Sequence, residues 1–134
     1  MKNSLSFDDV LLVPGYSDIT SRKDINLTSC LGSIGLDLPV VSSPMDTITE
    51  DAMAIALDKA GGLGIIHRYN TVKEQSNQIH KAHAAGAKNI GAAIGVTEDY
   101  LDRAKYAVMA GANVLCIDIA HGHHHLMKNA LKNL

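Results

Sequence analysis

Three short segments of the chain recur at a fixed step. Ala60-Gly61-Gly62-Leu63, Ala85-Gly86-Ala87-Lys88 and Ala110-Gly111-Ala112-Asn113 place their first glycines at 61, 86 and 111, two intervals of 25. Each glycine follows a helix-like stretch and precedes an apolar run, which is where a helix C-terminus takes glycine in the left-handed conformation. The apolar runs keep the same step, centring on Val40, Ile65, Ile90 and Leu115. They are Leu38 to Ser42, Leu63 to His67, Asn89 to Ile94 and Val114 to Asp118, and none alternates apolar with polar. Short continuous apolar runs suit strands buried on both faces, as in a parallel sheet.

The stretches between the runs have room for two to four helical turns. Thr47 with Glu50 and Thr71 with Glu74 have capping-box spacing. Thr97-Glu98-Asp99 offers a cap and two acids at a third helix start. Ala52, Ile55, Ala56, Lys59 and Ala60 fall at helical spacing, as do Leu101, Ala104, Val108 and Met109. The expectation is an α/β chain of four strand–helix units over residues 38–134, its last helix running roughly from His123 to Leu134. Residues 1–37 form a preamble punctuated by Pro14-Gly15, Gly32 and Gly35, read as a short strand or hairpin and loops. A doubly wound sheet would need its crossovers to switch faces. Eight units of this length come to about 200 residues, near the lower range of the TIM (β/α)8 barrel, so four units read as half a barrel.

Composition narrows the functional classes. At 134 residues the chain is the length of one compact domain. Its 46% hydrophobic and 19% charged residues exclude wholesale disorder. A net charge of −2, no Trp and one Phe leave neither a basic patch nor stacking platforms for nucleic acid. No apolar run approaches a membrane span, and Asp8 and Asp9 interrupt any secretory core, so a soluble cytoplasmic protein is expected. Cys30 and Cys116 are too few for a disulfide scaffold and too far apart for a metal knuckle. Neither sits in an activating environment for a nucleophile.

Ligands of parallel α/β folds bind at the C-terminal ends of the strands. Here those ends carry Ser42-Ser43-Pro44-Met45-Asp46, His67-Arg68-Tyr69-Asn70, Gly95-Val96-Thr97 and Asp118 to His123. Asp118 lies within an apolar run read as a strand, where an unpaired buried carboxylate would cost several kcal/mol. Two partners would satisfy it: a ligand hydroxyl such as a ribose diol, or an ion pair with Arg68 or a neighbouring strand. His121, His123, His124 and His125 look like a metal tract, but adjacent histidines at a helix start point in different directions, and a solvated helix start is the better reading. His80 and His83, three apart, read as a solvent face. The glycines match neither a dinucleotide fingerprint nor a Walker loop.

Four ordered motifs resemble one family. Leu5 to Tyr16, Val41 to Glu50, Ala60 to His67 and Asp118 to His123 are similar to the inosine monophosphate dehydrogenase / GMP reductase family, across essentially the whole chain. Ser42-Ser43-Pro44-Met45-Asp46-Thr47 resembles the dehydrogenase branch more than the reductase branch. The resemblance implies a (β/α)8 barrel, usually a homotetramer, that oxidises IMP to XMP with NAD in guanine nucleotide biosynthesis. It implies that Ser43 and Met45 line the nucleotide pocket, with Met45 against the base. Asp118 would hold the nicotinamide ribose of NAD, with Ala120 and His121 beside it in the dinucleotide groove.

Two departures qualify the likeness. The paired regulatory CBS modules usual after the second barrel helix are absent, because the 25-residue step runs unbroken into Gly86. The family's catalytic cysteine loop, its phosphate loops and its water-activating arginine would come later than these residues. The expectation is therefore an N-terminal half-barrel that is inactive alone and is completed by a C-terminal half or a homo-oligomer. The alternatives are a GMP reductase-type activity, or a non-catalytic half-barrel that binds nucleotide or self-associates.

Overall fold

The computed structural model describes residues 3–134. Two three-residue 3-10 turns, Phe7–Asp9 and Arg22–Asp24, come first. An antiparallel hairpin follows, of β1 (Ser29–Leu31) and β2 (Ile34–Leu36). Then come α1 (Asp51–Lys59), β3 (Gly64–Ile66), α2 (Val72–Ala84), β4 (Ile90–Ile94), α3 (Tyr100–Ala110), β5 (Val114–Ile117) and α4 (His125–Asn133).

The 25-residue step is a repeated helix ending. The N–H one residue past each glycine bonds the carbonyl five residues back: Gly62 to Leu57 at 2.8 Å, Ala87 to Ala82 at 3.1 Å, Ala112 to Ala107 at 3.0 Å. Gly61, Gly86 and Gly111 have φ of 83°, 89° and 115°, the left-handed turn such an ending needs. Each ending delivers the chain to the next strand.

The strands pair in parallel in the order β3-β4-β5, with Gly64 opposite Ile90 and Gly91 opposite Val114. Helices α1 and α2 pack together, as do α2 and α3. Ala54, Ile79, Ala82 and Ala107 from these helices share one core with Ile66, Ile90 and Ala92 of the sheet. Helices α1, α2 and α3 therefore lie on one face, and among the described residues the connections from β3 to β4 and from β4 to β5 do not switch faces as those of a doubly wound sheet would. On the opposite face Leu63, Ile65 and Ala93 pack with Leu36 and Ile34 of the hairpin. Both faces of β3 and β4 are sealed, which is why their sequences do not alternate.

The expected first strand, 38–42, is reduced to a single parallel bridge between Val41 and Leu63. Pro39 has no N–H to give, and the Val40 N–H turns back to the Leu38 carbonyl at 2.8 Å. Bonds of 3.0 Å from Leu63 N–H to the Val40 carbonyl and from Ser42 N–H to the Leu63 carbonyl keep the segment beside β3.

Helix starts differ from expectation at two of three places. The Thr71–Glu74 capping box forms as expected. Thr47 instead has φ 59° in the turn before α1, whose N-cap is Glu50. The N-cap of α3 is Asp99 rather than Thr97, and its carboxylate is taken by Arg103 at 2.9 Å. Of the residues at helical spacing Ala104 is buried and Ile55 partly so, while the other buried helix positions are Ala54 on α1 and Arg103 and Ala107 on α3. Ala52, Ala56, Leu101, Val108 and Met109 are exposed. The cause is the close approach of helix to sheet, which selects alanine over larger apolar residues. At Gly64 a Cβ would come within 2.5 Å of Ala54 Cα, so helix and strand touch backbone to backbone.

Candidate functional site

The loop after the Val41 bridge is pinned from below. The fully buried Thr49 hydroxyl donates to the Ser43 carbonyl at 2.7 Å and lies 2.8 Å from Ser42 Oγ. Ser42 Oγ also accepts the Ile65 N–H of β3 at 3.3 Å. With those groups committed, the side chains of Ser43 and Met45 stand exposed at the C-terminal edge of the sheet. His67, at the end of β3, is buried beside this loop. Its Nδ1 accepts the Tyr69 N–H at 3.1 Å. Its Nε2 lies 3.5 Å from Glu50 Oε1 and has no hydrogen-bond partner among the described residues.

Asp118, expected inside the strand, lies just past β5, which ends at Ile117; its N–H bonds the Ile94 carbonyl at 2.9 Å. Arg68 reaches it from the end of β3. Arg68 Nε donates to Asp118 Oδ2 at 3.3 Å, and Nη2 donates to the Asp118 carbonyl at 3.0 Å. The pair is part-exposed, the side chains being 33% and 29% accessible. Of the two partners open to Asp118 in the sequence, the ion pair with Arg68 is therefore present, and Oδ1 takes no hydrogen bond among the described residues. Ala120 and His121 follow, both exposed. A cleft of about 330 Å³ opens alongside, lined by Arg68, Gly95, Thr97, Arg103 and Ile119 among others.

Beneath that cleft is a polar network that the sequence reading missed. Gln75, 1% exposed, points Nε2 at the carbonyls of Ile66, His67 and Ala93 at 3.3, 3.0 and 2.8 Å, its two N–H groups shared among the three. Its Oε1 accepts from Arg103 Nη1 at 3.3 Å. Arg103 Nη2 donates to the Asn70 carbonyl and to Asp99 Oδ2, 2.9 Å each. The loops after β3 and β4 are thus tied together below the cleft. The signal was present: Gln75 sits four residues before Ile79, and Arg103 adjoins Ala104, on helix faces that are otherwise apolar.

The remaining candidates hold no site. Among the described residues no group of three or more His, Cys, Asp or Glu side chains is placed to hold a metal ion. The histidine tract is the exposed start of α4, with His124 Nδ1 accepting the Leu126 N–H at 3.3 Å. The His83 ring lies against Gly111, and His80 faces out. Burial pushes the Cys116 thiol up, and the Asp118 charge adds to it, so the thiol stays protonated. Cys30 is exposed on the hairpin.

Residues 4–134 match the family described as the IMP dehydrogenase / GMP reductase domain. Curated relatives named inosine-5′-monophosphate dehydrogenase include the following three. That of Nitrosopumilus maritimus is 48% identical over 99 residues, covering 73% of this chain and 21% of its own. That of Cryptosporidium parvum is 32% identical over 161 residues, covering 89% of this chain and 40% of its own. That of Staphylococcus aureus is 49% identical over 81 residues, covering 60% of this chain and 16% of its own. The chain thus spans 16% to 40% of the length of these relatives.

Proposed function

Because the chain belongs to the IMP dehydrogenase / GMP reductase domain family, we propose that residues 1–134 form the first half of a (β/α)8 barrel that oxidises IMP to XMP with NAD. On this reading residues 1–37 precede four β/α units at 38–134. The supporting observation is Asp118: a carboxylate held at the C-terminal edge of a parallel sheet, with one oxygen uncommitted among the described residues.

The donor set fits a ribose. A diol presents O–H donors, and Asp118 Oδ1 is an acceptor with no competing N–H. Ala120 and His121 stand exposed beside it, leaving room for the dinucleotide. Asp118 would hold NAD there, and the chemistry supplied with it would be a hydride acceptor for oxidation of the purine. Ser43 and Met45 lie on the same edge, three strand positions away, about 14 Å at ordinary strand spacing. Met45 offers an apolar, adaptable surface to a purine face, and Ser43 a hydroxyl to a polar edge of the nucleotide. The buried Thr49 holds their loop from below. Neither Cys30 nor Cys116 matches the family's catalytic cysteine, and burial holds the Cys116 thiol protonated, so on this reading neither is assigned the nucleophile's role. The exposed apolar side chains of residues 5–27 suit a homo-oligomer, a tetramer on the family pattern, or a complementing C-terminal half. A cytoplasmic location goes with this chemistry.

The test is NADH formation from IMP and NAD by the full-length protein carrying these residues. Asp118→Ala is expected to raise the KM for NAD by about tenfold or more, the worth of a charge-assisted hydrogen bond, with the KM for IMP nearly unchanged. A change confined to IMP would remove the ribose assignment. Consumption of NADPH with GMP, in place of IMP oxidation, would move the chain to the reductase side of its family. Turnover by residues 1–134 alone would place the nucleophile among them.

A further inference from the structure

We propose that Arg68 is a positioning residue, one that sets the angle at which Asp118 offers its carboxylate to a ligand hydroxyl. The inference rests on the ribose reading of Asp118 and extends it to a residue two strands away.

Asp118 has left its strand, so nothing in β5 fixes its side chain. Arg68 grips the residue at two different groups, the carboxylate through Nε and the main-chain carbonyl through Nη2. Backbone and side chain are fixed together, which a single point charge would not achieve. The guanidinium is itself preset. It spans the end of β4 at Gly95, where even an added Cβ would stand 3.6 Å from Nη1. Its Cζ lies 5.6 Å from the centroid of the Tyr69 ring. Below, the Gln75–Arg103 network holds Asn70 and so the loop that carries Arg68.

Two roles are open to such an arginine. It could plug the carboxylate until a ligand displaces it, or hold the carboxylate ready. The geometry points to the second, because only Oδ2 is taken and a ligand hydroxyl can bond Oδ1 with the pair intact. A part-exposed ion pair of this kind contributes little to folding stability. Its effect is therefore expected in binding rather than in melting.

The experiment is a double-mutant cycle on NAD affinity, using full-length protein carrying these residues and its Arg68→Ala, Asp118→Ala and doubly substituted variants. Arg68→Ala is expected to bind NAD about tenfold more weakly while its melting midpoint moves by no more than about 2 °C. The double variant should bind no more weakly than Asp118→Ala. Losses that multiply would show that Arg68 acts independently of Asp118 and overturn the proposal. Tighter binding by Arg68→Ala would make it a plug and overturn it equally. If Asp118→Ala weakens NAD and Arg68→Ala does not, the inference falls while the ribose reading stands. If Asp118→Ala leaves NAD unaffected, the ribose reading falls first. Should Arg68→Ala fail to fold, Arg68→Lys carries the same cycle; it keeps the charge without the fork, and about threefold weaker binding is expected.

Discussion

Val10-Leu11-Leu12-Val13 and Leu63-Gly64-Ile65-Ile66 are similar runs in sequence, yet they meet opposite fates. Leu11, Leu12 and Val13 are 95%, 98% and 91% exposed, whereas Leu63 and Ile66 are 0% exposed. The difference is in what flanks them. The second run follows a left-handed glycine ending a helix and precedes another helix start, so both its faces acquire partners. The first run leads into Pro14-Gly15 and lacks that frame. Apolar content alone does not bury a segment; a neighbouring element must arrive on each face.

The sharpest way to break this comparison is to truncate one residue on each side of it. Ile66→Ala opens a cavity in the sealed core and is expected to cost about 2–5 kcal/mol of unfolding free energy. In a monomer of residues 1–134 alone, without the partner proposed to cover residues 5–27, Leu12→Ala removes a side chain that touches almost nothing and should stay within about 0.5 kcal/mol. Urea unfolding followed by circular dichroism measures both. A Leu12→Ala cost near that of Ile66→Ala would mean that the N-terminal segment is packed in solution.

Glycines give a second matched pair. At Gly64 a Cβ meets Ala54 Cα at 2.5 Å, so Gly64→Ala must push α1 off the sheet, at about 1–3 kcal/mol. At Gly15 a Cβ meets nothing within 4 Å, and Gly15→Ala is expected to be neutral or slightly stabilising. Equal melting shifts for the two would contradict the backbone-to-backbone contact of β3 with α1.

How much was legible follows the same division. The repeat, the parallel sheet, the Thr71–Glu74 cap and the hairpin could be read because each depends on local spacing or turn chemistry. Gly32, with φ 59° at the first position of a two-residue loop, is the kind of residue that turn demands. On α3 Ala104 is buried, but Leu101, Val108 and Met109 of the same spacing pattern are exposed, because large apolar residues count most in a sequence pattern whereas the closely approached sheet takes the alanines 104 and 107 beside the hydrogen-bonded Arg103. The Ser43 and Asp118 regions were visible as polar residues at strand ends. Gln75 and Arg103 were harder to read: the Asp99–Arg103 pair has i,i+4 spacing, but the other partners are mainly main-chain carbonyls on other segments, which no spacing rule reveals.

The two cysteines report on the two regions directly. Cys30 is exposed on the hairpin, while burial and the Asp118 charge hold the Cys116 thiol protonated. Iodoacetamide at neutral pH should label Cys30 first, at a rate about tenfold above that of Cys116. Mass spectrometry of timed digests reads the order, and labelling of both at one rate would mean that β5 opens readily in solution.

The smallest expected effect isolates the comparison best, because one motif occurs in both regions. Asp9 Oδ2 accepts the N–H and hydroxyl of Ser6, both at 2.9 Å. Glu74 Oε2 accepts the N–H and hydroxyl of Thr71, both at 2.8 Å. Both carboxyls are held below their ordinary values, by the backbone N–H first and the hydroxyl second. A depressed folded-state value means that the unfolded chain binds its proton at higher pH than the folded chain. The stabilisation is present above the ordinary carboxylate range and is lost as pH falls through the folded value. In Glu74 that loss acts on α2, which carries Ile79 and Ala82 into the core. In Asp9 it acts on a three-residue turn with no buried residue. Acidification should therefore loosen the first-turn amides of α2 and lower the melting midpoint slightly. Glu74→Gln should flatten that pH dependence while keeping much of the cap, since an amide oxygen still accepts. Asp9→Asn should change neither. Equal pH responses from the two variants would show that the N-terminal turn is coupled to the core after all, and the contrast between the two regions would fall with it.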